Sequence, residues 1–242
     1  AIEEGAHVID VGGESTRPGS ERVPTDEQLA RVIPVIRAIR ETGLDTPITI
    51  DTTRVAVARA ALDAGADAIN DVSGATEEPA MLRLAAERGC GIVLMHRMTT
   101  PTRDVYSTQY EREPDYAGDV VASVRAALQD LLARALDLGV REEAILLDPG
   151  LGFGKSVEQN LELIRETHRL CELGRPVLSG ASRKSFVGAI SGVEDPAMRD
   201  EASAIVSVLH RQAGAGVFRV HAVGPHARAL RIAGAVGSTA VE

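Results

Sequence analysis

The sequence predicts an α/β protein of the (β/α)8 TIM-barrel class. Three observations predict it: β-rich apolar runs that are continuous rather than alternating, a helical pattern after each run, and a polar residue at the end of every run. Continuous apolar runs mark strands buried on both faces, as in all-parallel sheets. Strand–helix alternation along the whole chain implies right-handed crossovers between parallel neighbours. The 242 residues suit a single domain spanning 1–242, since such barrels run to about 250 residues. An open, doubly wound sheet is the competing arrangement of the same pattern.

Taken in order, the strands are expected at His7–Val11, Ile48–Asp51, Ala68–Asp71, Ile92–His96, Ile145–Asp148, Pro176–Ser179 and Val217–His221. The chain opens without Met, and its first residues read as the tail of a helix stopped by Gly5. Counting strands therefore leads to the expectation of a barrel missing its first β-strand. Between the strands, Thr25 with Gln28 and Ser156 with Gln159 have capping-box spacing. Gly65, Gly89, Gly139 and Gly174 stand where helix stops are expected. Asp115–Leu138 is the longest helical pattern, and Pro34 is expected to break or kink the helix around it. Arg97 to Pro114 forms a long polar connection, a lid or a disordered segment.

Composition narrows the function. A net charge of -9 without a basic stripe, and only 2% aromatic residues, argue against nucleic-acid partners. No apolar run approaches the roughly 18 residues of a spanning helix, so no membrane role is expected. Cys90 and Cys171 follow no metal or redox spacing and suit inert, buried thiols in a cytoplasmic protein.

The chemistry gathers at the strand ends, the edge where parallel α/β folds bind ligands. Asp10, Asp51, Asn70, Asp71, His96, Asp148, Lys184, Arg219 and His221 all fall there, although Asp10 and Asp71 could equally cap neighbouring backbone. Carboxylates and an amide suit a flat ligand with amidine-like N–H edges. Arg17, Lys184, Arg219 and His221 suit an anion, helped by the helix start at Ser185. The stretch "DVGGESTRPGS" is a loop that fits neither nucleotide-binding glycine pattern. His/Cys metal-ligand clusters are absent from the sequence pattern.

With these residues in hand, the chain resembles the dihydropteroate synthase family. The resemblance is carried by "DVGGESTRPGS", "ITIDTTRVAVARAALDAGADAINDVSG", "IVLMH", "ILLDPGLGFGKSVEQN", "VLSGASRKSFVG" and "FRVHAV", in the family's order over nearly the whole chain. It implies condensation of 6-hydroxymethyl-7,8-dihydropterin pyrophosphate with 4-aminobenzoate to give 7,8-dihydropteroate and pyrophosphate in folate biosynthesis. Pterin contacts would then fall on Asp51, Asn70, Asp148, Lys184 and Arg219, and pyrophosphate on Arg17, Arg219 and His221. Thr16, Pro18, Phe153, Lys184 and Ser185 would form the aminobenzoate pocket, with Arg17, Lys184, Arg219 and His221 carrying the chemistry. The resemblance further implies Mg2+, a homodimer built on the late helices, and inhibition by sulfonamides that mimic 4-aminobenzoate.

Two departures accompany the match. The family's first strand and an "NVTPDSFSDGG"-like loop, which supplies an Asn for the metal, have no counterpart here, and Ala222 replaces the usual Asp of "RVHDV". The competing functions are a non-catalytic pterin-binding paralogue or inactive remnant, and a methyltransferase acting on methyltetrahydrofolate. The latter has no need of the "STRPG" and "SRKSF" stretches.

Overall fold

In the computed structural model, which describes residues 1–237, every predicted strand forms, six of them within two residues of the expected ends, while the last stops at Phe218, three residues before His221. β1 (Ile9–Gly12), β2 (Ile48–Asp51), β3 (Ala68–Asp71), β4 (Gly91–Met95) and β5 (Ile145–Asp148) pair in sequence order, all parallel. β6 (Leu178–Ser179) and β7 (Val217–Phe218) pair with each other, and a bridge from Leu147 to Val177 joins them to β5. The order never reverses. A doubly wound sheet needs a switch point where it does, so the array is singly wound and has barrel architecture.

Helices fill the crossovers: α1 (Thr25–Glu41), α2 (Val55–Asp63), α3 (Ala80–Arg88), α4 (Val120–Asp137), α5 (Val157–Arg165), α6 (Thr167–Cys171), α7 (Ser185–Ser191), α8 (Asp200–Gln212) and α9 (Val223–Gly237). Their inner faces and the strands share one contiguous aliphatic core, with Ile36, Ile48, Ile50, Ile69, Ile92, Leu94, Leu128 and Ile145 at 1% exposure or less. Each such side chain gains about 1.5–3 kcal/mol by burial.

Helix ends follow the sequence in most places. Ser156 and Gln159 make both bonds of a capping box, and Gly65, Gly89, Gly139 and Gly174 all take positive φ just beyond helices. Three expectations need correction. Pro24 rather than Thr25 takes the N-cap of α1, and Gln28 turns inward to Val23 O and Thr52 Oγ1 instead of back to its own cap. Pro34 does not break α1, because it lies on the exposed face while Gln28, Val32 and Ile36 hold the opposite face to the sheet. α4 begins at Val120, not Asp115. Ala117 and Gly118 take positive φ, and the Asp119 carboxylate accepts from Ala122 N at 2.7 Å to open the helix. The two cysteines are free, but only half-buried.

Candidate active site

The polar residues at the strand tips converge. From β1, Asp10 accepts from Thr49 Oγ1 at 2.5 Å and from Asn70 Nδ2 at 3.3 Å, so neighbouring strands are already tied at their ends. Arg219, just past β7, spans the mouth: its Nε donates to Asp10 at 2.5 Å and its Nη2 to Asp51 at 2.7 Å. Burial first, and then the Asp10 charge, push the Asp51 carboxyl up to about 7 against the pull of Arg219. Desolvation disfavours the guanidinium charge, yet Asp51, Asp10 and Asp148 together outweigh it and hold Arg219 protonated. One cation thus feels three carboxylates from β1, β2 and β5.

Asp148 closes the other side. Its Oδ1 accepts from Gly150 N at 2.7 Å, and burial raises its pKa while Lys184 opposes the rise. A Cβ on Gly180 would stand 3.7 Å from Asp148 Oδ2 and 3.9 Å from Lys184 Nζ, so the bare backbone between them keeps that corner open. Lys184, the N-cap of α7, lies 4.3 Å over the Phe153 ring and donates to Leu151 O. Desolvation pulls its ammonium down to about 8, with Asp148 resisting. Val72, Met95 and Phe153 form a small apolar cluster apart from the main core, on the same strand tips.

The adjacent cations "RK" therefore part company. Arg183 sits at φ 59 and forks onto Asp200 at 2.7 and 2.8 Å, fastening α7 to α8. Lys184 turns inward.

Around the rim, His221 Nδ1 lies 3.0 Å from Ser182 Oγ, and partial desolvation together with Arg183, Arg219 and Arg17 lowers its pKa. Arg17 is exposed on the loop after β1 and makes no ion pair among the described residues. Thr16 lines a narrow cleft with Asp51, Val72 and Arg97, while Pro18 is half-buried beside it. Ser185 Oγ accepts from Ser107 N at 3.1 Å. That bond belongs to the long 97–114 connection, which is docked on the site: Gly19 N donates to Pro101 O, and Gly154 N to Asp104 Oδ2, both at 2.8 Å.

Asp10, named at its strand end with capping as the alternative, is the direct partner of Arg219. Sequence reasoning missed two further residues. Glu77 accepts from Arg22, Arg97 and Thr53, stapling the far end of the β1 loop to the β3 and β4 loops. Lys155 is wholly buried behind Asp148. Its signal was available, as the one charge in the glycine-rich "GLGFGK". Asp71, by contrast, bonds Ser73 N and Ala75 N and serves its own turn.

The family described as pterin binding enzyme matches residues 1–221 of the chain. A dihydropteroate synthase of Synechocystis sp. is 44% identical over 97% of this chain and 78% of its own length. Among solved structures, Xanthomonas albilineans dihydropteroate synthase with 4-aminobenzoic acid superposes with a TM-score of 0.88 at 40% identity, covering 98% of this chain and 82% of that one. A Yersinia pestis dihydropteroate synthase in a sulfonamide drug complex gives a TM-score of 0.90 at 35% identity, covering 98% and 83%.

Proposed function

This chain belongs to the pterin-binding enzyme family, and from that premise we propose that it works as a dihydropteroate synthase. The reaction joins 6-hydroxymethyl-7,8-dihydropterin pyrophosphate to 4-aminobenzoate. The observation that carries this reading is the convergence of Asp51, Asn70, Asp148 and Lys184 at one end of the parallel strands, with Asp10 bonded to Asn70 and to Arg219, Arg219 bonded to Asp51, and Lys184 acting on Asp148.

Each group has a task that its chemistry suits. Asp148 accepts from the amidine-like edge of the pterin, and Asn70 and Asp51 meet its remaining polar edge. The Val72, Met95 and Phe153 cluster offers an apolar face to a flat ring. When the methylene carbon–oxygen bond breaks, its electron pair leaves on pyrophosphate, and Arg17, Arg219 and His221 stabilise that charge. The electron-rich ring spreads the cation left behind, which the buried carboxylates tolerate. The aniline nitrogen, held between Thr16, Pro18, Phe153, Lys184 and Ser185, then forms the carbon–nitrogen bond and gives up a proton. Preorientation of the two reactants lowers the entropic cost of this step. No covalent intermediate on a side chain is required.

Mg2+ is implied by the family, but the residues present do not fit a resident ion. Among the described residues no group of three His, Cys, Asp or Glu side chains could hold one, and Asp10 and Asp51 are both engaged by Arg219. No step is assigned to it.

A homodimer is the assembly we favour. Met198, Ile205, Leu209, Ile232 and Val236 are 52–76% exposed on or beside α8 and α9, an apolar face that a second copy would cover. Sedimentation of a pure monomer at micromolar concentration would refute it. No helix among the described residues is long and apolar enough to cross a membrane, and we place the enzyme in the cytoplasm with its substrates.

The decisive assay follows pyrophosphate release with both substrates present. Wild type should turn over only when both are supplied, and Lys184→Ala should lose at least about 10²-fold in rate. Full activity in that variant, or no release by wild type, would overturn the reading.

A further inference from the structure

We propose that Lys155 is a positioning residue, whose buried side chain gathers the 150–154 loop into the wall of the ligand cup read above. Lys155 is 0% exposed, and its Nζ lies 3.0 Å from Gly150 O, 2.9 Å from Phe153 O and 3.1 Å from His96 Nδ1. An ammonium has three N–H groups, and three acceptors are arranged to take them. Burying such a group is costly unless every hydrogen is used, and here each has a partner.

What the ammonium gathers is the part of the chain that shapes the site. Gly150 at φ +68 passes so close to β4 that a Cβ there would stand 1.9 Å from His96 O. From that turn, Gly150 N reaches Asp148, Leu151 O receives Lys184, and the Phe153 ring lies beneath the Lys184 ammonium. Both carbonyls bound by Lys155 belong to this same loop. Without the ammonium Phe153 O loses this donor and Gly150 O keeps only Phe153 N, and each lost partner carries a desolvation penalty.

The groups facing Lys155 come from every side. Burial pulls the Lys155 ammonium down to about 7, Asp148 on β5 and Asp104 from the 97–114 connection resist that fall, and Lys184 from the α7 start adds to it. Tyr116 lies 5.9 Å from Nζ, and His96, kept neutral by burial and by Lys155 itself, completes the set. Lys155 in turn lowers the pKa of Asp148 from behind, where no ligand can reach. An apolar residue of equal volume would fill the space without doing either task.

The test uses the full chain carrying Lys155→Met, with two readouts that need no turnover. The first is chemical labelling of Lys184 by acetic anhydride, followed by mass spectrometry. Labelling should quicken at least about tenfold as Leu151 O and Phe153 withdraw, since a factor of ten corresponds to losing one net hydrogen bond. The second is calorimetric affinity for 6-hydroxymethylpterin across pH. Binding should weaken at least about tenfold, and its acid limb should move to higher pH because Asp148 has lost a cation. A folded variant with wild-type labelling and an unmoved acid limb would overturn the proposal. Should the variant fail to fold, nitrogen-15 spectra of the wild-type lysine side chains decide. A slowly exchanging Lys155 ammonium supports the role, and a rapidly exchanging one overturns it. Failure of the wild type to bind the pterin would count against the functional reading instead, and the Lys184 labelling would still judge Lys155.

Discussion

Asp51 and Asp148 are both buried at strand tips, yet Asp51 meets its counter-charge from across the mouth, whereas Asp148 has one of its own at its back. The partner of Asp51 is Arg219, whose side chain is 45% exposed and which is shared with Asp10. Asp148 faces the partly buried Lys184 and has the wholly buried Lys155 behind it. The difference teaches how one cup can be both firm and responsive. A half-exposed guanidinium can leave when a flat ligand arrives, and what it leaves is an acceptor. A lysine sealed beneath the floor stays, and with Lys184 it works against the burial that raises the pKa of the carboxylate above it.

The most severe way to break this contrast is Asp148→Ala. Losing a buried acceptor leaves pterin N–H groups unpaired, so affinity should fall by about 2–5 kcal/mol. Calorimetry giving an unchanged affinity would dismiss the role. Arg17→Ala touches neither carboxylate and should slow turnover by about 10²-fold while pterin affinity stays nearly constant. A large loss of affinity would place Arg17 in the wrong half of the cup.

The pH dependence of Asp51 sharpens the contrast further. Its carboxyl is held up to about 7 by burial and by Asp10. Its ionised form therefore gains as pH rises through that value, and pterin affinity should rise by up to about tenfold per unit below it, then level off. Asp51→Asn should remove the part of that rise centred near 7 and leave the part that Asp148 contributes. In the ligand-free chain the sign is opposite. A folded value above the reference value of 3.8 means the folded state holds the proton more tightly, so stability falls as pH climbs from 3.8 toward about 7. Thermal melts across that window measure it. The smallest effect is a control outside the cup. Ser156→Ala removes a capping-box acceptor and should cost about 1 kcal/mol, or about 2–4 °C in Tm, with kcat unmoved.

Much of this was legible in the amino acids. Strands such as Ile48–Asp51 and Ile145–Asp148 announce themselves because parallel burial demands unbroken apolar runs, and the ends of those runs expose the polar groups. Lys184 and Asp148 could be nominated from their positions alone. What could not be read were partnerships between distant segments. Nothing local says that Arg219 will span to Asp10 on β1, or that Glu77 will collect two arginines from separate loops. Local signals also lost where tertiary contacts outweighed them. Gln28 had the spacing for a cap and found a better pair of partners in Val23 and Thr52, and Pro34 sat where solvent can satisfy the carbonyl it frees.

Gly154 is gripped twice by the connection that follows β4, with its N–H on Asp104 and its carbonyl on the Tyr116 hydroxyl. Surface connections of this size commonly absorb insertions and deletions without penalty. This one does not have that freedom. Adding or removing residues between 104 and 116 would tug on the peptide beside Phe153, so the length of an outer loop bears on the shape of the wall that Phe153 and Lys184 build.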